Sequence, residues 1–238
     1  MLKVRCVSGV GSHIDAIAGA AGQEPFPVFL APRRPAGSEV VGVVTALQPR
    51  VTQWLDTGCG TGYMVDLASR SFPKTDFVMT DPSEAMLAVA KKRLQNHSGH
   101  SFRFLPAMPT QTLPAYKNEL KPQVITAILC HHHLSKELRR VATSVCYDLL
   151  AAGGVYITVE NIVPDSPRSI AVGIERWERF QIGQGKSIAQ AKEHSKRMNT
   201  EYFPVTVAEH LDVLHNAGFR TAELFWYSYM QGGFYAIR

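Results

Sequence analysis

Short apolar runs alternate with longer mixed stretches along most of this chain. Residues 51–55, 77–80, 101–105, 124–129 and 155–159 form five such runs, four of them with Gly, Pro or Asp at one end or both. Runs of this length, rich in Val, Ile, Phe and Thr, predict strands, and 124–129 reads as a parallel strand buried on both faces. The stretches between them carry helical signals: residues 63–70, a segment opening at Pro82, and one ending at Asp148-Leu149-Leu150 before the Gly153-Gly154 stop. Strand and helix in alternation predict βα units around a parallel sheet. After Asn161 the alternation lapses for about 45 residues and returns as a helix at 205–216. Two further strands, 221–229 and 233–238, are expected to meet at a Met230-Gln231-Gly232 turn.

The first run leads into Asp56-Thr57-Gly58-Cys59-Gly60-Thr61-Gly62, with glycine at every second position. Glycine tolerates positive φ and carries no Cβ, so such a turn admits a ligand close to its backbone. A dinucleotide-binding turn would need glycine three residues after Gly60, where Tyr63 stands. At these residues the chain resembles the class I S-adenosylmethionine (SAM)-dependent methyltransferases, whose first motif reads Asp-x-Gly-x-Gly-x-Gly. Asp81 lies 19 residues beyond Gly62, at the end of the second strand, where a carboxylate can accept hydrogen bonds from ribose hydroxyls. Pro82 is expected at the first position of the next helix, and the resemblance gives Met86 the task of covering the adenine.

Later motifs agree in order and vary in closeness. Pro106-Ala107-Met108-Pro109 stands where the family has Gly-Asp-Ala, so the backbone of Ala107 and Met108 is left to read the adenine edge. Cys130-His131-His132-His133-Leu134 follows the fourth strand, as a His-His-Leu sequence does in the family. Adjacent residues on an extended chain point in alternating directions, and no Cys-x-x-Cys or His-Glu-x-x-His partner accompanies them, so no metal is expected. Cys130, His131, Asp56 and Cys59 join Gly58, Gly60, Gly62, Asp81, Pro82 and Met86 as cofactor-side residues. The resemblance covers residues 51–238 and implies a Rossmann-like, doubly wound, seven-stranded sheet, mostly parallel with a C-terminal antiparallel hairpin. It implies one domain over 1–238, with residues 1–48 as an N-terminal lid and helical segment and 165–204 as a helical cap inserted after strand five. The Pro-rich passage 25–35 is read as leading to a helix near Ser38.

The expected activity is methyl transfer from SAM to a small molecule. Because SAM is already activated, the enzyme chiefly aligns the acceptor, and a base is needed only for a protonated acceptor. Asn161, Tyr202, His132 and Glu160 are the candidates for base or orienter. In the cap, Ile174, Trp177, Phe180 and Gln181 recur at helical spacing, and a second helix is expected over 187–198. Tyr227, Tyr229 and Gln231 are further pocket candidates. The stretch from His210 to Tyr227 also resembles the carboxy-SAM synthases, with Lys196-Arg197 in the region that binds the added carboxylate. Chemistry on SAM itself is therefore the alternative: carboxy-SAM synthesis, or cyclisation to azetidine-2-carboxylate with release of methylthioadenosine.

Composition changes this picture little. A net charge of +5 raises the question of nucleic acid, but Arg33-Arg34, Lys91-Lys92-Arg93, Arg139-Arg140 and 192–197 are dispersed and read as solvated helix faces. No nucleic-acid or membrane partner is expected, and the chain is read as a monomer or homodimer. Cys6, Cys59, Cys130 and Cys146 show no disulfide spacing, which suits the cytoplasm.

Overall fold

A computed structural model describes residues 37–238. The passage 25–35 and the remainder of the N-terminal stretch fall outside the described residues. Helix α1 (Gly37–Leu47) precedes β1 (Gln53–Thr57), α2 (Tyr63–Ser69), β2 (Asp76–Thr80), α3 (Glu84–Leu94) and β3 (Ser101–Phe104). Then come β4 (Val124–Ile128), α4 (Lys136–Leu149), β5 (Val155–Asn161), α5 (Pro167–Gly183) and α6 (Ile188–Lys196). The chain closes with α7 (Val207–Asn216), β6 (Thr221–Ser228) and β7 (Gln231–Ile237). The seven strands form one sheet in the order β3-β2-β1-β4-β5-β7-β6, with β7 antiparallel to β5 and β6. This is the mostly parallel, doubly wound sheet with a closing hairpin that the motifs implied.

Strands β1, β2, β4 and β5 are buried on both faces, yet the period of two persists inside them. Trp54, Phe77, Met79 and Ile157 face α1, α2 and α3, whereas Leu55, Val78, Ile125 and Tyr156 face α4 and α7. Asp56 shares the Trp54 face and Thr57 the Leu55 face, so the two polar residues at the end of β1 serve opposite sides. Strand order reverses between β1 and β4, and ligand crevices in such sheets open at the carboxyl ends of those strands.

Several boundaries differ from expectation. Strand β1 begins two residues later than read, and Asp56 lies within it, because the parallel register pairs Gln53–Thr57 with Asp76–Thr80. Pro82 precedes helix α3; Ser83 is the N-cap, its hydroxyl accepting from Met86 N at 3.3 Å. Gln231 and Gly232 belong to β7, paired with Asn161 and Glu160, so the hairpin turns at Tyr229-Met230. The cap contains two helices, as expected, with the second ending at Lys196.

Candidate active site

The glycine turn is closed by its own backbone. Cys59 N donates to Thr80 O at 3.0 Å and Gly62 N to Cys59 O at 2.9 Å. Gly58, Gly60 and Gly62 all have positive φ, but each lacks a side chain for a different reason. A Cβ on Gly58 would lie 2.5 Å from Cys130 Cβ, and one on Gly62 would lie 3.0 Å from Ala90 Cβ of α3. A Cβ on Gly60 would meet nothing within 4 Å. Gly60 therefore borders an open cradle, while its neighbours are packed.

Asp81 anchors this turn. Its Oδ2 accepts from Gly60 N and its Oδ1 from Ser83 N, both at 2.9 Å. A carboxylate offers about four acceptor sites, so two stay available for hydroxyls of a ligand. Met108 N donates to Asp81 O at 3.1 Å, which brings Met108 and Ala107 to the same end of the sheet. Met86 is 44 % exposed at the start of α3, with its side chain free of the core. Asp56 is 1 % exposed and accepts from Thr126 Oγ1 at 2.6 Å, while its Oδ2 has no partner among the described residues. Burial pushes its carboxyl up to about 7, against the Thr126 hydrogen bond and with the help of nearby Asp81. An open cradle at Gly60, spare acceptor sites on Asp81 and an orphaned buried oxygen on Asp56 fit SAM, which carries ribose hydroxyls and an ammonium group.

The three histidines after β4 take three different positions. Leu129 precedes them at φ 54, a left-handed conformation that a leucine adopts only at some cost. His131 is enclosed, with Thr110 Oγ1 at 3.0 Å from Nε2 and Tyr156 Oη at 3.1 Å from Nδ1. Burial lowers its pKa to about 4, so it is neutral. Cys130 turns its thiol to Thr57 O and packs beneath Gly58. These two residues shape the turn from below.

His132 Nδ1 lies 3.0 Å from Glu160 Oε2, which also accepts from His132 N at 2.8 Å. Thr158 Oγ1 donates to the other oxygen, Oε1, at 2.6 Å. Burial alone would raise the Glu160 pKa. The hydrogen bond from His132 and the fields of His132, His131 and His210 outweigh it and hold the carboxyl at about 2. An ionised Glu160 fixes the proton of His132 on Nδ1, and Nε2 has no hydrogen-bond partner among the described residues. His133 is exposed, with Nδ1 2.8 Å from Glu201 O.

His132 borders a hollow of about 600 Å³ with Leu129, His133, Asn161, Trp177, Arg197, Tyr202 and Gln231. An adjoining, much narrower hollow shares Asn161, Trp177, Tyr202 and Gln231, and its remaining wall includes Ile162, Ile174, Met198, Pro204 and Met230. Together they give a chamber that is polar beside His132 and apolar towards Ile174 and Met230, a make-up that suits a small molecule. Of the catalytic candidates, Asn161, Tyr202 and His132 reach this space, whereas Glu160 is 0 % exposed and stands behind His132. Gln231 donates to Asn161 Oδ1 at 3.2 Å. Tyr227 and Tyr229 line a separate groove with Arg168 and Arg176. Among the described residues no cluster of His, Cys, Asp or Glu could hold a metal ion, and no helix is long and apolar enough to cross a membrane.

One buried charged residue departs from the sequence reading. Arg139 was assigned to a solvated face, but it is 1 % exposed. The signal was available: Arg139 stands three, four and seven residues before Ala142, Thr143 and Cys146, on the buried stripe of α4.

Residues 55–156 match the methyltransferase domain family. A carboxy-S-adenosyl-L-methionine synthase from Trichlorobacter lovleyi is 26 % identical over 206 residues, covering 83 % of this chain and 81 % of that protein. Another from Campylobacter hominis is 24 % identical over 177 residues, covering 71 % and 70 %. Among solved structures, an O-methyltransferase family protein from Burkholderia thailandensis superposes with a TM-score of 0.62 at 16 % identity, covering 85 % of this chain. The chain spans 56 % of the length of that protein. The sheet order and the matched domain give the chain the fold of the class I SAM-dependent methyltransferases, and the matched domain with the curated relatives supports a SAM-dependent transferase.

Proposed function

We propose that this protein transfers the methyl group of SAM to a hydroxyl of a small, largely apolar acceptor, with His132 as general base. The observation that carries this reading is the pairing of buried, ionised Glu160 with His132 Nδ1 while Nε2 is left without a protein partner beside the chamber. A hydroxyl is protonated at neutral pH, so its oxygen needs a proton acceptor within reach as it attacks. SAM, when bound, supplies a methyl group already activated on a sulfonium. Gly60 and Asp81, with the backbone of Ala107 and Met108, are the residues that would hold it. Glu160 keeps the His132 proton on Nδ1 and stabilises the imidazolium that forms when Nε2 accepts the hydroxyl proton. Ile174, Trp177, Met198 and Met230 exclude water and orient the acceptor, and Asn161 and Tyr202 offer polar contacts. Orientation of this kind contributes roughly 7–11 kcal/mol of barrier lowering, and a positioned base a further factor of roughly 10²–10⁴.

The second reading is chemistry on SAM itself, favoured by the carboxy-SAM synthase names of the curated relatives and by Arg197 beside His132. Arg197 Nε donates to Glu201 at 2.7 Å, so an added carboxylate would compete with an existing partner.

The test is mass spectrometry of the protein with SAM, run with a panel of phenols and aliphatic alcohols and without any acceptor. Methylated product and S-adenosylhomocysteine that form only when a hydroxyl compound is present support O-methyl transfer. Methylthioadenosine formed without acceptor, or carboxylated SAM formed on adding an α-keto acid, would replace it with the second reading.

A further inference from the structure

Arg139 is a buried cation that forms no ion pair among the described residues; Glu160 and Glu209 act on it only through their fields, against the burial that lowers its pKa. Its Nε donates to His131 O at 3.2 Å and its Nη2 to Phe203 O, while Nη1 is buried with no partner among the described residues. Removing such a charge from water is costly, and a well-packed apolar residue of similar size often serves stability as well or better. Packing therefore gives no reason for an arginine here.

The two carbonyls give one. The peptide unit joining His131 and His132 accepts from Arg139 at its oxygen and donates to Glu160 Oε2 at its nitrogen, 2.8 Å away. One amide dipole thus spans a buried cation and a buried anion, an arrangement in which each hydrogen bond polarises the other. The next carbonyl, His132 O, accepts from Phe203 N at 2.7 Å, and Phe203 O returns to Arg139. Arg139, the histidine turn and the strand-like return of the cap close into a ring. That return carries Tyr202 into the chamber, and its ring meets His132 edge-on at 6.0 Å.

We propose that Arg139 is a positioning residue: it locks the histidine turn to both Glu160 and the cap return, and so holds His132 in its base geometry against Tyr202. This rests on the reading of His132 as the base. Arg139 does not line the chamber that His132 borders, and it acts through two peptide groups.

The test compares full-length wild type, R139M and R139K by NMR. In wild type, ring nitrogen shifts should report His132 as the Nδ1–H tautomer, and the His132 and Phe203 amides should exchange slowly. R139M should accelerate exchange at these two amides at least tenfold and mix the His132 tautomers, while Thr126 and Ile157 amides in β4 and β5 keep their protection. SAM affinity by calorimetry should stay within twofold. R139K retains the charge but its single ammonium cannot span both carbonyls, so the Phe203 amide should still exchange at least tenfold faster. It carries the test if R139M does not fold. Unchanged exchange at Phe203 in either variant overturns the proposal, as does a loss of protection spread evenly over the sheet. A wild-type His132 that is not the Nδ1–H tautomer would instead overturn the base assignment itself.

Discussion

Replacing Gly60 with alanine separates the stability of the glycine turn from its use. Gly60 has φ +53, and a new Cβ there would touch nothing within 4 Å. The folded protein should then bear only the cost of a left-handed alanine, about 1–2 kcal/mol. For a domain of this size that lowers the melting temperature by roughly 2–8 °C. At Gly58 the backbone cost is similar, but the Cβ would also stand 2.5 Å from Cys130 Cβ. Overpacking of that kind adds about 1–3 kcal/mol, so G58A should be clearly the less stable protein. Binding should rank the other way relative to stability. In G60A the methyl group fills the cradle, and SAM affinity should fall at least tenfold, about 1.4 kcal/mol. Thermal melts without ligand and calorimetric titration with SAM measure the two quantities separately. If G60A binds SAM within twofold of wild type, the open space beside Gly60 is not where SAM lies. If G60A melts as low as G58A, the space is not open in solution.

Asp81→Ala should weaken SAM binding at least tenfold by calorimetry, because each hydrogen bond to a charged group is worth about 1.5–3 kcal/mol and the Gly60 anchor at 2.9 Å is lost as well. His132→Gln should leave SAM affinity unchanged and lower turnover of a hydroxyl acceptor by roughly 10²–10⁴; a milder loss would remove His132 as the base. Stability should fall on acidification in a defined window. His131 and His210 are held neutral at about 4 by burial, against an ordinary 6.5, so the folded state binds fewer protons between these values. Their contribution is complete above about pH 6.5 and is lost as pH falls towards 4, at most about 3 kcal/mol each. Glu160, held at about 2, adds to the loss only below its ordinary 4.5. Urea midpoints that do not move between about pH 7 and 5 would refute the histidine assignment. Finally, His210 packs at a tilt against Phe234, ring centroids 4.3 Å apart, with both ring nitrogens unpartnered among the described residues. His210→Phe should accordingly flatten the acid side of that curve, since it removes a buried group that must stay neutral.

What the sequence made legible was what is local in it. The glycine spacing, Asp81 and the alternating runs lie within single βα units, and the family resemblance they carry implied the sheet and its closing hairpin. The boundaries that slipped depend on partners far along the chain: β1 starts at Gln53 because Asp76 pairs with it, and Gln231 is strand because Asn161 lies opposite. The chemical half of the site is assembled from residues 129–139, 158–160 and 197–204, which meet only through the fold. His132 and Glu160 were both singled out as possible bases. Their relation, one behind the other, is a contact across 28 residues that no local pattern encodes. Arg139 was missed because its charge was weighed ahead of its place on the buried stripe of α4.

The consecutive histidines make the same point in the smallest space. One residue type, at three successive positions, is given three different surroundings by what each ring meets. His131 spends both nitrogens on Thr110 and Tyr156 inside the core and is held neutral. His132 spends one nitrogen on an ionised carboxylate and keeps the other beside the chamber. His133, exposed, ties the turn to Glu201 O. The left-handed Leu129 ends the strand and His131–His133 form a single 3-10 turn, so His131 and His132 both turn inward where an extended chain would have sent one outward. Strain at that leucine is therefore the local cost of bringing a buried neutral imidazole and a carboxylate-paired one side by side. The Arg139–Phe203 ring is what holds that arrangement closed.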